Sequence, residues 1–241
     1  MTGKLHQQRQ TWDEKPVLRA IYGDYYRRIV AACRPGRTLE VGGGSGNLKA
    51  LLPDVVSSDI VVLPWLDVAA DAQALPFAPA VFANIVAVDV LHHIERPVRF
   101  LREAERLLQP GGRLVLLEPA ITPLSHPFYH RFHPEPVDMA ADPLADGPLS
   151  PDRDPFDANQ AVASLLVRRH AAALAEAVPG LRLSQARYLS LLAYPLSGGF
   201  RPWSLIPAAL VPAALWVERG LEPVLGRLMG FRLLLVLDRA G

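Results

Sequence analysis

Thr38-Leu39-Glu40-Val41-Gly42-Gly43-Gly44-Ser45-Gly46-Asn47 reads as a short strand running into a glycine turn that opens the helical pattern Asn47–Leu52. Glycines let the backbone approach a ligand with no Cβ in the way. A helix start offers unpaired N–H groups to a carboxylate or phosphate. Taken alone, the loop is equally a tight turn that binds nothing. The dinucleotide fingerprint G-x-G-x-x-G fails here in both frames, because its third glycine would fall on Asn47 or on Lys49.

Outward from this turn the chain alternates strand and helix patterns. Strands are expected at Arg37–Val41, Val55–Ile60, Asn84–Val90 and Arg113–Leu117, with a helix at Arg96–Leu108. That helix starts at Pro97, carries Phe100, Leu101, Ala104, Leu107 and Leu108 on one face, and stops at Pro110-Gly111-Gly112. Such alternation implies parallel strands joined by crossover helices, a doubly wound α/β sheet. Residues 1–36 read as an arm and a helix opened by Pro16, whose apolar stripe is Leu18, Ile21, Tyr22, Tyr25, Tyr26 and Ile29. After the core at 37–119, residues 120–158 and 195–230 form two insertions, separated by a helix at Asn159–Val178 and a strand at Leu181–Leu192. Phe231–Asp238 is a final strand, and all 241 residues are read as one domain.

Composition narrows the function. The net charge is +1 and no Lys/Arg block stands out, which argues against a nucleic-acid partner. Cys33 is the only cysteine, so an internal disulfide and a cysteine-based zinc cluster are excluded. The polar start MTGKLHQQRQ lacks the apolar stretch of a signal peptide. The apolar run Leu205–Val217 is broken by Pro207 and Pro212 and falls short of the roughly 20 residues of a spanning helix. The expectation is a cytoplasmic protein, with peripheral membrane contact through residues 203–229 left open.

Further motifs turn the glycine loop into a specific signal. Glu40-Val41-Gly42-Gly43-Gly44-Ser45-Gly46 resembles the E/D-x-G-x-G-x-G motif of class I S-adenosylmethionine-dependent methyltransferases. Asp59 resembles the acid that ends their second strand. Asp71-Ala72-Gln73-Ala74-Leu75-Pro76-Phe77 resembles the adenine segment of the small-molecule (type 11) branch that includes the ubiquinone and menaquinone methyltransferases. Asp89-Val90-Leu91-His92-His93-Ile94 and Leu107–Leu114 match its fourth-strand end and its L-x-P-G-G turn. The resemblance covers residues 37–119. It implies a Rossmann-like, mostly parallel seven-stranded sheet with helices on both faces, and S-adenosylmethionine as cofactor. Asp59 would then take the ribose hydroxyls and Asp71 with Ala72 the adenine. Gly42, Gly43, Gly44 and Gly46 would lie along the methionine part, and Glu40, Ala87 and Asp89 near its amino group. Two departures stand out: the spacing from Asp59 to Asp71 is short for the helix and strand usual there, and Ala83 replaces a common aspartate.

The carboxyl ends of the fourth and fifth strands, Asp89–Ile94 and Glu118-Pro119, should face the acceptor. His92 and His93 are the catalytic candidates there, as base or as structural pair, since histidine titrates near neutral pH. His126, His130, His133, Glu135 and Asp138 in the first insertion are candidate acceptor contacts. His126 and His130 would share a helix face by their spacing, and no metal is assigned to the cluster. The second insertion brings apolar surface from Trp203 to Met229, with Glu218, Arg219, Glu222 and Arg227 marking a polar side. The two insertions together are expected to form a lid over a small-molecule or lipid-like acceptor. Two other functions remain open: a non-catalytic assembly or regulatory protein on this fold, and a nicotinamide-dependent oxidoreductase, which Asn47 disfavours.

Overall fold

The computed structural model describes residues 2–241. Its seven strands are β1 (Thr38–Val41), β2 (Val56–Asp59), β3 (Val68–Ala69), β4 (Phe82–Val88), β5 (Leu108–Pro119), β6 (Leu181–Leu189) and β7 (Arg232–Arg239). They form one sheet in the order β3-β2-β1-β4-β5-β7-β6. The first five are parallel, whereas β7 runs antiparallel between β5 and β6. Period-2 alternation sends Ile85, Leu114, Leu116, Leu233 and Leu235 to one face and Val86, Val115, Leu117, Leu234 and Val236 to the other. Both faces are therefore apolar, and both carry helices.

On one face lie α3 (Pro97–Leu107), α5 (Val162–Arg168) and α6 (Ala171–Ala177); on the other lie α2 (Pro16–Ala32), α7 (Ala193–Ser197) and α8 (Val211–Met229). The expected stripe of α2 is buried throughout, and Pro16 occupies its first turn, where no N–H is needed. The remaining helices are α1 (Thr2–Glu14) and α4 (Ser125–Phe132), so the N-terminal arm is itself helical.

Two local expectations give way, and the short Asp59–Asp71 spacing has the effect expected of it. The helix expected at Asn47–Leu52 is a single 3₁₀ turn, Leu48–Ala50, because Pro53 follows at once and β2 begins at Val56. The helix expected at Asn159–Val178 is two short ones. The break lies where the Leu165 carbonyl accepts from both Arg169 and His170. No helix fills the short link from β2 to β3; instead Trp65 turns back, and its indole N–H donates to the Gly44 carbonyl at 2.8 Å.

The polar side expected for α8 splits: its two acids turn inward, while Arg219 and Arg227 stay exposed. Glu218 and Glu222 are buried, while Trp216, Val217, Leu221, Val224 and Leu228 are exposed. The acids have partners inside: Glu218 accepts from the backbone N–H of Leu192 and of Ala193, and Glu222 from Arg28.

Candidate functional site

Beyond the carboxyl ends of β1, β2 and β4 the chain forms a half-open cavity of about 410 Å³. This is where an open parallel sheet leaves room for a ligand. The glycine turn forms one wall. Gly42 and Gly44 take left-handed φ values of 69° and 47°. A Cβ at Gly42 would come within 2.2 Å of Val90 Cγ2, so the turn demands glycine there. A Cβ at Gly44 would meet nothing nearer than 3.8 Å, leaving that position open toward the cavity. Leu5 and Gln8 of α1 also line this side.

Three acids surround the turn. Asp59, at the end of β2, accepts the Gly44 N–H at 3.0 Å and the Val61 N–H at 3.1 Å. Asp71 accepts the Gln73 N–H at 2.9 Å, which fixes its loop beside Ala72. Glu40 is buried, and its Oε2 has no hydrogen-bond partner. Burial pushes its pKa up to about 8, with the Lys49 charge opposing. An orphaned carboxylate oxygen beneath a backbone turn costs free energy unless something fills its valence.

The opposite wall is built on Glu118, fully buried at the end of β5. One of its oxygens accepts the N–H groups of Val90 and Leu91 at 3.0 and 2.8 Å, which locks the turn after β4. The other lies 2.5 Å from His92 Nδ1. His92 Nε2 faces Glu135 Oε2 at 3.5 Å. Burial alone would lower the pKa of His92; the charge of Glu118 and the hydrogen bonds of both carboxylates outweigh it and hold the pKa up to about 10. Burial works against ionisation of Glu135 too, but His92, His93 and His133 draw it down to about 2. His93 lies against the His92 ring at 4.2 Å between centroids, with Nε2 3.9 Å from Glu135 Oε1. Its pKa is lowered by burial and by the charge of His92, with Glu135 opposing. These shifts favour the charged form of His92 and the neutral form of His93.

Between the walls lies Arg232, the first residue of β7, only 2% exposed. It pairs with Asp89, which also accepts from the Tyr22 hydroxyl at 3.0 Å. Its guanidinium sits 5.3 Å from the Tyr194 ring centre. Burial would lower its pKa, but Asp89 and the surrounding tyrosines keep it well above the ordinary value.

Residues 39–116 match the family described as "Methyltransferase domain". This part of the chain resembles a class I methyltransferase domain. Among relatives, the ubiquinone/menaquinone biosynthesis C-methyltransferase of Klebsiella pneumoniae is 41% identical, over 45% of this chain and 55% of its own. The demethylmenaquinone methyltransferase of Renibacterium salmoninarum is 32% identical, over 44% of this chain and 51% of its own. The chain spans about half the length of the curated relatives it matches. A methyltransferase from Archaeoglobus fulgidus has the same fold at 15% identity, with a TM-score of 0.54 over 92% of this chain and 94% of that one.

Most of the expected cofactor residues come together here: Glu40, Gly42, Gly43, Gly44, Asp59, Asp71, Ala72 and Asp89 all line the cavity. Two do not. Ala87 is fully buried inside the sheet between β1 and β5, and Val88 and Asp89 reach the cavity in its place. Gly46 is covered by Trp65, whose Cδ1 would lie 2.9 Å from a Cβ there. The residues present fit S-adenosylmethionine. Glu40 would supply a vacant acceptor for the amino group, Asp59 and Asp71 would offer their remaining lone pairs to ribose and adenine, and Gly44 leaves room beside the turn.

The acceptor-side expectations divide more sharply. His92, His93, His133 and Glu135 line the cavity. His126 and His130 do share a face, with rings 6.3 Å apart, but that face is exposed because Ser125 and Tyr129 take the buried side of α4. Asp138 is exposed and serves its own turn, accepting the Ala140 N–H. The apolar wall expected from Trp203 to Met229 does not line the cavity; Tyr194 and Phe200 do. Lys15 holds that segment, its ammonium donating to the carbonyls of Ser197, Gly199, Arg201 and Trp203. Arg232 was hidden in an apolar strand pattern, and Tyr22 and Tyr26 in a stripe that reads as core. A lone arginine opening the run Leu233–Leu237 was the available signal.

Proposed function

We propose that the chain transfers a methyl group from S-adenosylmethionine to a small, quinone-like aromatic acceptor that carries a ring oxygen. The observation that carries this reading is the single cavity in which the glycine turn and its acids face the His92–His93–Glu135 cluster and Arg232. The names of the Klebsiella and Renibacterium relatives point to quinone-type acceptors. The aromatic lining of Tyr22, Tyr26, Tyr194, Phe156 and Phe200 suits a flat ring.

When bound, the cofactor's sulfonium supplies an electrophilic methyl group and leaves as a neutral thioether. The protein's task is to align the acceptor, exclude water and remove one proton. His93, neutral at working pH, takes the proton from the acceptor. Glu135 stabilises the imidazolium that forms. His92, held charged by Glu118 and Glu135, keeps His93 from protonating in advance. Arg232 stabilises the oxyanion that develops on the acceptor, a role suited to a buried guanidinium with fixed direction.

The test is incubation with methyl-labelled S-adenosylmethionine and a panel of phenols, hydroquinones and naphthoquinols. Label appearing in one class of acceptor, matched by equimolar S-adenosylhomocysteine, supports the reading. Cofactor binding without transfer to any of them would favour the non-catalytic alternative.

A further inference from the structure

The surface around α8 has a sign as well as a hydropathy. Between positions 192 and 229 the only acids are Glu218 and Glu222, and both are buried. What α8 shows to solvent is Trp216, 76% exposed, and Val224, 79% exposed, with Val217, Leu221 and Leu228 beside them. Trp203, Leu205 and Leu210 extend the exposed apolar surface ahead of the helix. The exposed charges of this stretch are Arg201, Arg219 and Arg227, and the neighbouring β6 and α2 add Arg187 and Arg27. Exposed apolar residues grouped along one helix face mark an interaction site.

We propose that α8, with the Trp203–Leu210 segment before it, docks on an anionic lipid surface. An apolar face alone would suit a protein partner equally well. The absence of exposed acids from this stretch is what selects the lipid: Asp24, which pairs with Arg219 and Arg27, is itself buried, so the charges shown to solvent are arginines, which match an interface whose headgroups are negative. Tryptophan is the side chain that best tolerates the boundary between headgroup and acyl chain. No helix among the described residues is long and apolar enough to cross a membrane, so the contact lies in the plane of the surface. The segment that brings Tyr194 and Phe200 to the cavity runs directly into this face. Docking there would set the acceptor site beside a source of lipid-like molecules; only that consequence rests on the function proposed above.

The test is flotation of the purified chain with vesicles of phosphatidylcholine alone and with added phosphatidylglycerol, without cofactor or acceptor. The chain binds the anionic vesicles, releases at high salt, and leaves the neutral ones largely unbound. Trp216→Asp/Val224→Asp and Arg227→Glu, all at exposed positions, each weaken binding by about tenfold or more, while S-adenosylmethionine affinity, a check on folding, stays unchanged. Absence of binding to anionic vesicles, or equal binding by the variants, would overturn the proposal. So would a wild-type dimer in sedimentation that the double variant abolishes without any vesicle binding, since the face would then serve a second copy of the chain. Failure of methyl transfer, by contrast, touches the functional reading and leaves this one standing.

Discussion

Replacing Glu135 by glutamine removes one charge from the centre of the histidine cluster and keeps the side chain's size. The carboxylate lies 3.9 Å from His93 Nε2. At an effective dielectric constant of about 20, charges at that separation interact by about 4 kcal/mol, equivalent to about three pH units. Glu135 is about a fifth exposed and the cavity is open to water, which cuts this to about 1–2 pH units. The direction is set by charge: Glu135 favours the protonated form of His93, so its loss lowers the pKa. His92 keeps Glu118 as a partner at 2.5 Å, so its own opposing charge stays in place. In a profile of kcat/KM against pH, activity is lost on the acid side as His93 protonates. That limb moves down by about 1–2 pH units in Glu135→Gln. A limb that stays where it was, or moves up, would refute His93 as the base.

Three further outcomes follow from the same geometry. Glu40, with its pKa raised to about 8, is mostly protonated at pH 7 and must release a proton to receive the cofactor's amino group. Calorimetry of S-adenosylmethionine in buffers of different ionisation enthalpy then shows proton release at pH 7 that disappears by pH 9–10, and identical heats in all buffers would contradict this. His133→Ala lowers turnover by about tenfold, the loss of the one hydrogen bond its ring accepts from the Glu135 N–H at 3.3 Å, whereas the exposed pair His126→Ala/His130→Ala leaves turnover unchanged; equal effects would put the acceptor elsewhere. The pKa of His92 is raised from 6.5 to about 10, so its stabilising contribution is complete below pH 6.5 and is lost as pH rises toward 10; Tm falls across that range, less steeply in Glu118→Gln, and a flat wild-type profile would count against the charged His92.

The glycine-turn side of the cavity was legible in the sequence because local rules govern it. A strand, a glycine turn and acids at strand ends sit within contiguous motifs, and Glu40, Asp59 and Asp71 all lie where those motifs place them. The acceptor half depends on which way elements face, and spacing does not reveal that. The His126–His130 spacing correctly gives one helix face, but Ser125 and Tyr129 claim the buried side. Glu218 and Glu222 read as a solvent-facing stripe, yet unpaired N–H groups at Leu192 and Ala193 and the Arg28 guanidinium draw them inside. Arg232 looks like the fringe of an apolar strand until Asp89, on the turn after β4, comes to meet it. In each case the decisive partner is far away in sequence, where no periodicity reaches.

Titration calorimetry of the chain with S-adenosylmethionine, run beside Gly44→Val, tests the central claim most directly. A Cβ at Gly44 meets only ordinary contacts, so the variant's branched side chain projects toward the ligand space, at the cost of strain from a φ of 47°. The wild type shows saturable one-to-one binding, competed by S-adenosylhomocysteine, and the variant shows none while its circular dichroism stays native. No binding to the wild type, or equal binding by a folded Gly44→Val, would contradict it.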